Sequence, residues 1–165
     1  IGLGHRRIAM IAHAPPLFFA ARKRMDGYRA ALEAAGLAYE ESLVRLADFS
    51  EQSGFTRMRE LLAQEPDVTA VFAGNDVVAY GAMQAALQSG LRVPEDVSIA
   101  GFDDDYMSRF LNPPLTTMVL PAAGHGASAV EALIERLNRG ANGNPIMREL
   151  RAHITVREST APPRE

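Results

Sequence analysis

The sequence predicts an α/β protein in which a doubly wound, mostly parallel sheet is flanked by helices. Short apolar runs alternate with segments of helical periodicity, in the order β-α-β-α-β-α-β, from residue 8 to residue 102. The first run, Ile8–Ala12, is nearly unbroken, as expected for a strand covered on both faces. With 165 residues, 47% of them apolar, the chain can bury a sizeable core. This order implies parallel strands joined by right-handed helical crossovers.

The first predicted helix follows this strand. Its apolar residues recur three or four positions apart: Met25, Tyr28, Leu32 and Ala35. Gly36 is the expected C′ residue, because glycine adopts the left-handed conformation that ends many helices. A second and weaker strand is predicted over residues 42–46.

Two further helix–strand units complete the parallel part of the sheet. Ser50 is the expected N-cap of the second helix, and a third strand is predicted over residues 69–73. Asp76 is expected to cap the third helix, and residues 97–102 form the fourth predicted strand. The apolar faces of the two helices are marked by Phe55, Met58, Leu62, Val78, Ala82 and Ala86.

The pattern changes after the acidic turn at residues 103–105. We expect a short helix at residues 106–111, a strand at 116–120 and a helix whose apolar positions run from 129 to 137, with Gly140 past its end. Residues 150–156 alternate apolar and polar side chains, which is typical of a half-exposed antiparallel or edge strand. A boundary is therefore placed near Leu120.

Composition excludes several classes of function. The chain has no cysteine, which excludes disulfides and thiolate metal sites and fits a cytoplasmic location. A net charge of −3 gives no electrostatic reason for this stretch to bind nucleic acid. No apolar run approaches the length of a membrane span, so no membrane partner is expected. Because the chain opens on Ile1 rather than methionine, we expect it to be a piece of a longer protein.

Candidate ligand-binding residues follow the predicted strands. Ligands of open parallel sheets bind beyond the carboxyl ends of the strands. His13, Phe49, Asn75 and Asp103 lie at those positions, and Arg24 lies on the first helix near the same edge. Converging polar side chains suit a hydroxylated or amide-bearing ligand, and a guanidinium fork can reach a bound hydroxyl or carboxylate.

Each candidate also has a structural interpretation. Asn75 alone more often stabilises a turn, and the four scattered histidines lack metal-ligand spacing. Clustered carboxylates suit hard cations, but the three consecutive aspartates should point apart, and one can cap the next helix. No metal and no cofactor is predicted, since Gly2 and Gly4 precede the first strand whereas a phosphate-binding loop follows it. No serine lies in a nucleophile elbow, so no catalytic residue is predicted; an enzyme using Asp103 is the least favoured alternative.

Segments spread over nearly the whole chain resemble the sensor region of LacI/GalR transcriptional repressors. They occur in order: LGHRRIA at residues 3–9, RMDGYRAAL at 24–32, DFS at 48–50, AVFAGND at 70–76, GLRVPEDVS at 90–98, GFDD at 101–104, PPLTT at 113–117 and REST at 157–160. The resemblance implies a periplasmic-binding-protein-like fold of type I, with two lobes and a ligand in the cleft. It also implies that Arg24, Phe49, Asn75 and Asp103 face that ligand, a sugar or, alternatively, a purine stacked on the aromatic ring.

The resemblance divides the chain and assigns its partners. Residues 1–120 correspond to the C-terminal sensor subdomain, 121–145 to a crossover helix of the other lobe, and 146–165 to a returning strand and tail. The resemblance implies that operator DNA is bound only through an N-terminal domain outside this chain. A homodimer is expected, with residues 50–55 and 78–81 forming its two-fold surface. The alternative is a periplasmic sugar-binding protein of a transport system, which has the same fold.

The predicted helix at residues 123–139 carries an apolar stripe whose partner in such repressors is the first lobe. The stripe consists of Ala129, Leu133, Ile134 and Leu137. Burial of each large aliphatic side chain is worth roughly 1.5–3 kcal/mol, so an exposed stripe tends to find another surface. We therefore expect this helix to pack against a neighbouring chain or to fold back onto the sensor lobe.

Overall fold

A computed structural model describes residues 1–139, 147–149 and 151–164, and its centre is a six-stranded sheet in the order β2-β1-β3-β4-β5-β6. The strands are β1 Ile8–Ala12, β2 Val44–Leu46, β3 Ala70–Ala73, β4 Ser98–Asp103, β5 Thr116–Val119 and β6 His153–Thr155. The first five strands run parallel to one another, and β6 pairs antiparallel with β5 at the edge. The predicted fold class and the antiparallel edge strand are confirmed.

Three helices flank this sheet, and a fourth extends away from it. They are α1 Phe19–Ala34, α2 Glu51–Gln64, α3 Asp76–Gln88 and α4 Ala122–Arg139, with short 3-10 helices at Glu41–Leu43 and Tyr106–Arg109. The strand predicted over residues 42–46 is only half right. Its first part is 3-10 helix because Leu43 turns into the core and donates its backbone N–H to the Glu40 carbonyl.

Both faces of β1 are buried, so the alternation of its side chains divides the core into two layers. Ala9 and Ile11 pack under α2 and α3, while Met10 and Ala12 pack under α1 with Tyr28 and Leu32. The Tyr28 hydroxyl donates to the Ile8 carbonyl at 2.7 Å, which satisfies its only polar atom in this apolar layer. This double coverage explains why β1 is an unbroken apolar run.

Helices α2 and α3 approach each other closely through two glycines. A Cβ atom on Gly54 would overlap the backbone carbonyl of Val78, and one on Gly81 would overlap the carbonyl of Glu51. Val78 is fully buried in this contact. Gly54, Val78 and Gly81 are thus used in a contact within one chain. That the segments 50–55 and 78–81 form a two-fold surface for a second copy stays a prediction.

The tail after β6 runs back along the sheet and fastens to it. The Ser159 side chain is buried, accepts from the Thr116 N–H at 2.8 Å and donates to the Ile99 carbonyl at 2.6 Å. At the other end of the chain, the buried His5 ring lies 2.9 Å from the Thr69 hydroxyl and 2.8 Å from the Ala161 carbonyl. Both ends of the described chain thus belong to the same lobe as the sheet.

Helix α4 extends from the end of β5 and leaves its apolar stripe in solvent. Leu133 is 58% exposed and Leu137 is 72% exposed, so the helix does not fold back onto the sensor lobe, and that expectation is wrong. Packing against a neighbouring chain stays a prediction. Gly140 and Leu150, at the ends of two predicted elements, and the boundary drawn between residues 145 and 146 lie outside the described residues. None of the described helices is both long and apolar enough to cross a membrane.

Candidate ligand-binding site

Arg24 is the centre of the site at the carboxyl edge of the sheet. It projects from α1 so that Nη1 donates to the Gly74 carbonyl at 2.5 Å and Nη2 donates to Asp103 Oδ1 at 3.1 Å. Its guanidinium also lies 3.8 Å from the centre of the Phe102 ring, a cation–π contact. Burial lowers the pKa of Arg24 and the Asp103 carboxylate counters this shift. The ends of β3 and β4 therefore hold this cation in one orientation.

His13 forms the floor beneath the guanidinium. Its side chain is almost completely buried, and Arg24 Nη1 lies 3.4 Å from both of its ring nitrogens. Burial, with a smaller contribution from the charge of Arg24, lowers the pKa of His13 to about 4. The imidazole is therefore neutral near pH 7, and the only full positive charge at this point belongs to Arg24.

Phe49 provides an exposed aromatic wall beside His13. The two ring centres are 5.1 Å apart in an edge-to-face arrangement, and Phe49 is 46% exposed. Its backbone has a φ of 70°, and its N–H donates to the His13 carbonyl. A large residue in this left-handed conformation is uncommon and is often found at functional sites.

Phe18 is a component of this wall that the sequence analysis missed. Its ring lies 5.6 Å from that of Phe49, edge to face, and half of the residue is exposed. Phe102 was missed as well, although it belongs to the predicted fourth strand and precedes Asp103. The available signal for Phe18 was the run Leu17-Phe18-Phe19, which is apolar yet lies in the connection between a buried strand and its helix.

The three consecutive aspartates point in three directions, as expected. Asp103 pairs with Arg24, and burial raises the pKa of Asp103 against the opposing effect of that arginine. Asp104 pairs with Arg157 at 2.6 Å. Asp105 caps the following 3-10 helix by accepting from the Met107 N–H at 2.9 Å. The described residues contain no cluster of three or more side chains suited to hold a metal ion.

The N-cap of α3 is Asn75 and not its neighbour Asp76. Asn75 is the N-cap of α3, and its side chain accepts from the Val78 N–H at 2.9 Å, so the prediction that Asp76 caps this helix is wrong. Asp76 is buried and accepts from the hydroxyls of Thr117 at 2.5 Å and Ser108 at 2.6 Å. Asn75 still adjoins Gly74, whose carbonyl holds Arg24. Its contact with a ligand stays a prediction.

The structure thus brings His13, Arg24, Phe49 and Asp103 into one cluster at the carboxyl edge, with Asn75 buried at its border. A fixed cation, a carboxylate and exposed aromatic rings can bind a polar molecule that also has an apolar face. An open apolar groove of about 850 Å³ adjoins the cluster between α1 and the sheet, with Arg24 at its rim.

A family model, related sequences and solved structures all place this chain in the same family. The model of the periplasmic binding protein-like domain matches residues 1–160. The HTH-type transcriptional regulator CelR of Thermobifida fusca is 43% identical over 159 residues, which cover 96% of this chain and 46% of that protein. The chain belongs to the LacI family.

Other members of the LacI family agree in sequence and in structure. The ribose operon repressor of Escherichia coli K12 is 39% identical over 155 residues, covering 94% of this chain and 45% of the repressor. A solved complex of the transcriptional regulator CelR with cellobiose superposes with a TM-score of 0.89 at 42% identity, covering 96% of this chain and 48% of that one. The family and the periplasmic-binding-protein-like fold are confirmed.

This LacI-family chain spans just under half the length of the curated relatives it matches. Those relatives are transcriptional regulators, neither enzymes nor transport proteins. The alternative of a periplasmic transport protein is therefore not supported.

Proposed function

We propose that this chain is the effector-sensing region of a LacI-family transcriptional regulator and that it binds a small, sugar-like molecule. One observation carries the proposal: Arg24 is fixed between the ends of β3 and β4, with Phe49 exposed beside it. Cations and carboxylates that are already oriented bind hydroxyl groups at little entropic cost. An exposed ring next to them can pack on the apolar face of a sugar.

Such a sugar would be bound by two kinds of contact: hydrogen bonds to its hydroxyl groups and aromatic packing on its C–H face. The free lone pairs of Asp103 and the remaining N–H groups of Arg24 would hydrogen-bond adjacent ring hydroxyls, and such charge-assisted bonds are the stronger ones. The rings of Phe49 and Phe18 would cover the C–H face. Relatives named for ribose or solved with cellobiose support a sugar as the ligand class.

The chain would act by binding and not by catalysis. Asp103 is the residue that an enzyme hypothesis would use, but its carboxylate is ion-paired with Arg24. His13 is too buried and too weakly basic to serve as a general base near pH 7, because its pKa is about 4. We propose no metal and no cofactor for this site.

The whole regulator would bind operator DNA through an N-terminal domain outside this chain and would act as a homodimer in the cytoplasm. For the dimer, the surface around the 3-10 helix Tyr106–Arg109 is better suited than the buried contact of α2 with α3. Tyr106, Met107 and Phe110 are all exposed there, beside Tyr80 of α3. A stable dimer would need to bury on the order of 1,000 Å² or more in total.

Calorimetric titration of the full-length regulator with cellobiose, ribose and a purine base tests the proposal. We expect one of the sugars to bind, and Arg24→Gln to weaken that binding by about tenfold or more, since a charged hydrogen-bond donor is lost. Arg29→Gln is the matched control, because Arg29 lies on α1 but stacks on Tyr39. Binding of the purine alone would overturn the sugar assignment. Equal affinity of the Arg24→Gln variant and the wild type would overturn the site.

A further inference from the structure

The turn that presents Asp103 has an unfavourable backbone conformation at two successive residues. Asp103 has a φ of 118° and Asp104 a φ of 56°, although neither is glycine. Side chains with a Cβ atom rarely adopt these values, and such conformations persist only where the surroundings impose them. The direction of the Asp103 carboxylate toward Arg24 depends on this turn. Some contact must therefore hold it.

Arg157 supplies that contact from the tail of the chain. Its Nη2 donates to Asp104 Oδ1 at 2.6 Å, and its Nη1 donates to the Leu115 carbonyl at 2.7 Å. Both charged side chains are mostly buried, at 15% and 17% exposure, so solvent screens this ion pair less than one on the surface. The Thr117 hydroxyl also lies 3.4 Å from the Asp104 N–H.

The tail itself is anchored at neighbouring positions, so Arg157 has a fixed base. Its own N–H donates to the Thr116 hydroxyl at 2.9 Å. The N–H groups of Glu158 and Ser159 both donate to the Pro114 carbonyl at 3.1 Å. A guanidinium held at its base and bound by a second bond to Leu115, the residue before β5, can restrain the Asp104 backbone through the carboxylate.

We propose that Arg157 is a positioning residue for the ligand site: by clamping Asp104 in its left-handed conformation, it aims the Asp103 carboxylate at Arg24 and at the ligand. The last step rests on the proposed function; the clamp itself does not. Arg157 lies two residues after β6, the antiparallel edge strand, so the clamp also ties the tail of the chain to the effector site.

A pair of substitutions at Asp104 separates backbone positioning from simple loss of an ion pair. Asp104→Ala and Asp104→Gly both remove the carboxylate, but only alanine disfavours a φ of 56°. The readout is solvent exchange of the Arg24 guanidinium N–H groups, measured by NMR on the chain without ligand. We expect exchange about tenfold faster in Asp104→Ala than in Asp104→Gly, because a Cβ penalises the left-handed conformation. Equal exchange in the two variants would overturn the positioning role.

The second test removes Arg157 itself. We expect Arg157→Gln to accelerate Arg24 exchange in the wild-type background and to leave it unchanged in the Asp104→Gly background, where no clamp remains to be lost. Arg148→Gln is the matched control, because Arg148 is likewise ion-paired but its partners, Glu131 and Glu135, lie on α4, away from Asp104. An equal effect of Arg157→Gln in both backgrounds would mean a merely structural role and would overturn the proposal.

Affinity for cellobiose and ribose, measured on the full-length regulator, completes the test. Where a sugar binds, Arg157→Gln should weaken it in parallel with the faster Arg24 exchange, and unchanged affinity would overturn the link to the ligand. If neither sugar binds the wild type, the proposed function fails. The NMR comparison still decides the clamp, so the two failures are distinguishable.

Discussion

At the scale of single residues, the sequence predicted which side chains meet at the carboxyl edge of the sheet but assigned the N-cap of α3 to the wrong residue. His13, Arg24, Phe49 and Asp103 could be predicted because the carboxyl edge of a parallel sheet is a property of topology. The choice between Asn75 and Asp76 as the N-cap of α3 could not be predicted, since both residue types are good N-caps. Asp76 is bound instead by Thr117, 41 positions away in the sequence. Such a contact between distant segments leaves no local signal.

The buried His13 predicts how stability depends on pH. Its pKa is about 4 in the folded chain against an ordinary value of 6.5, so between these values the unfolded chain binds a proton that the folded chain does not. Stability is therefore greatest above pH 6.5 and falls as the pH drops toward 4, by about 3 kcal/mol for this group. Urea unfolding at several pH values should show a smaller loss in His13→Gln than in the wild type.

Two other histidines provide a control and a second contribution in this measurement. His125→Gln, on the exposed helix α4, should leave the acid-induced loss of stability as it is in the wild type. His5 is buried and its pKa is also lowered, so part of the loss should remain in His13→Gln. A wild-type protein equally stable at pH 7 and at pH 4.5 would contradict the assignment of His13 as a buried neutral group.

At the scale of helices and strands, capping residues and periodicity predicted most elements. Ser50 accepts from the Ser53 N–H at 3.1 Å as the N-cap of α2, and Gly36 has a φ of 68° after α1. Strand β2 was the weakest prediction because its three residues carry little alternation. The close approach of α2 and α3 was invisible in the sequence, since a glycine within a helix does not reveal which backbone lies against it.

Substitution of Gly81 tests that helix contact. Gly81→Ala should lower the free energy of unfolding by about 2–4 kcal/mol, because the new Cβ would overlap the backbone of Glu51 and force α2 and α3 apart. Gly27→Ala on α1 is the control. No atom lies within 4 Å of a Cβ there, and alanine favours a helix over glycine, so stability should rise by about 0.5–1 kcal/mol. Equal effects of the two substitutions in chemical denaturation would refute the close packing.

At the scale of the whole molecule, the alternation of strand and helix patterns along the chain was enough to predict the parallel sheet. It did not predict which surfaces of the folded chain stay exposed. The groove beside α1 is lined by apolar residues from distant segments, including Ile8, Phe72, Phe102 and Ile154. Only the folded chain brings these residues together. The stripe on α4 was predictable because it lies within one helix, whereas its exposure depends on the path that the chain takes after β5.

The exposed stripe on α4 makes self-association of this chain the expected outcome in solution. Leu133, Ile134 and Leu137 of this stripe, and Val130 on the same side of the helix, are all more than half exposed. Burial of each is worth up to roughly 1.5–3 kcal/mol, enough for several together to offset the cost of association.

Sedimentation velocity should detect dimers or larger species at high concentration, and Leu133→Glu should shift the population toward monomer. Ser128→Glu adds the same charge on the opposite side of the helix and should leave association unchanged. A wild-type chain that stays monomeric at high concentration would show that the stripe tolerates water, and the expected packing against a neighbouring chain would then be wrong.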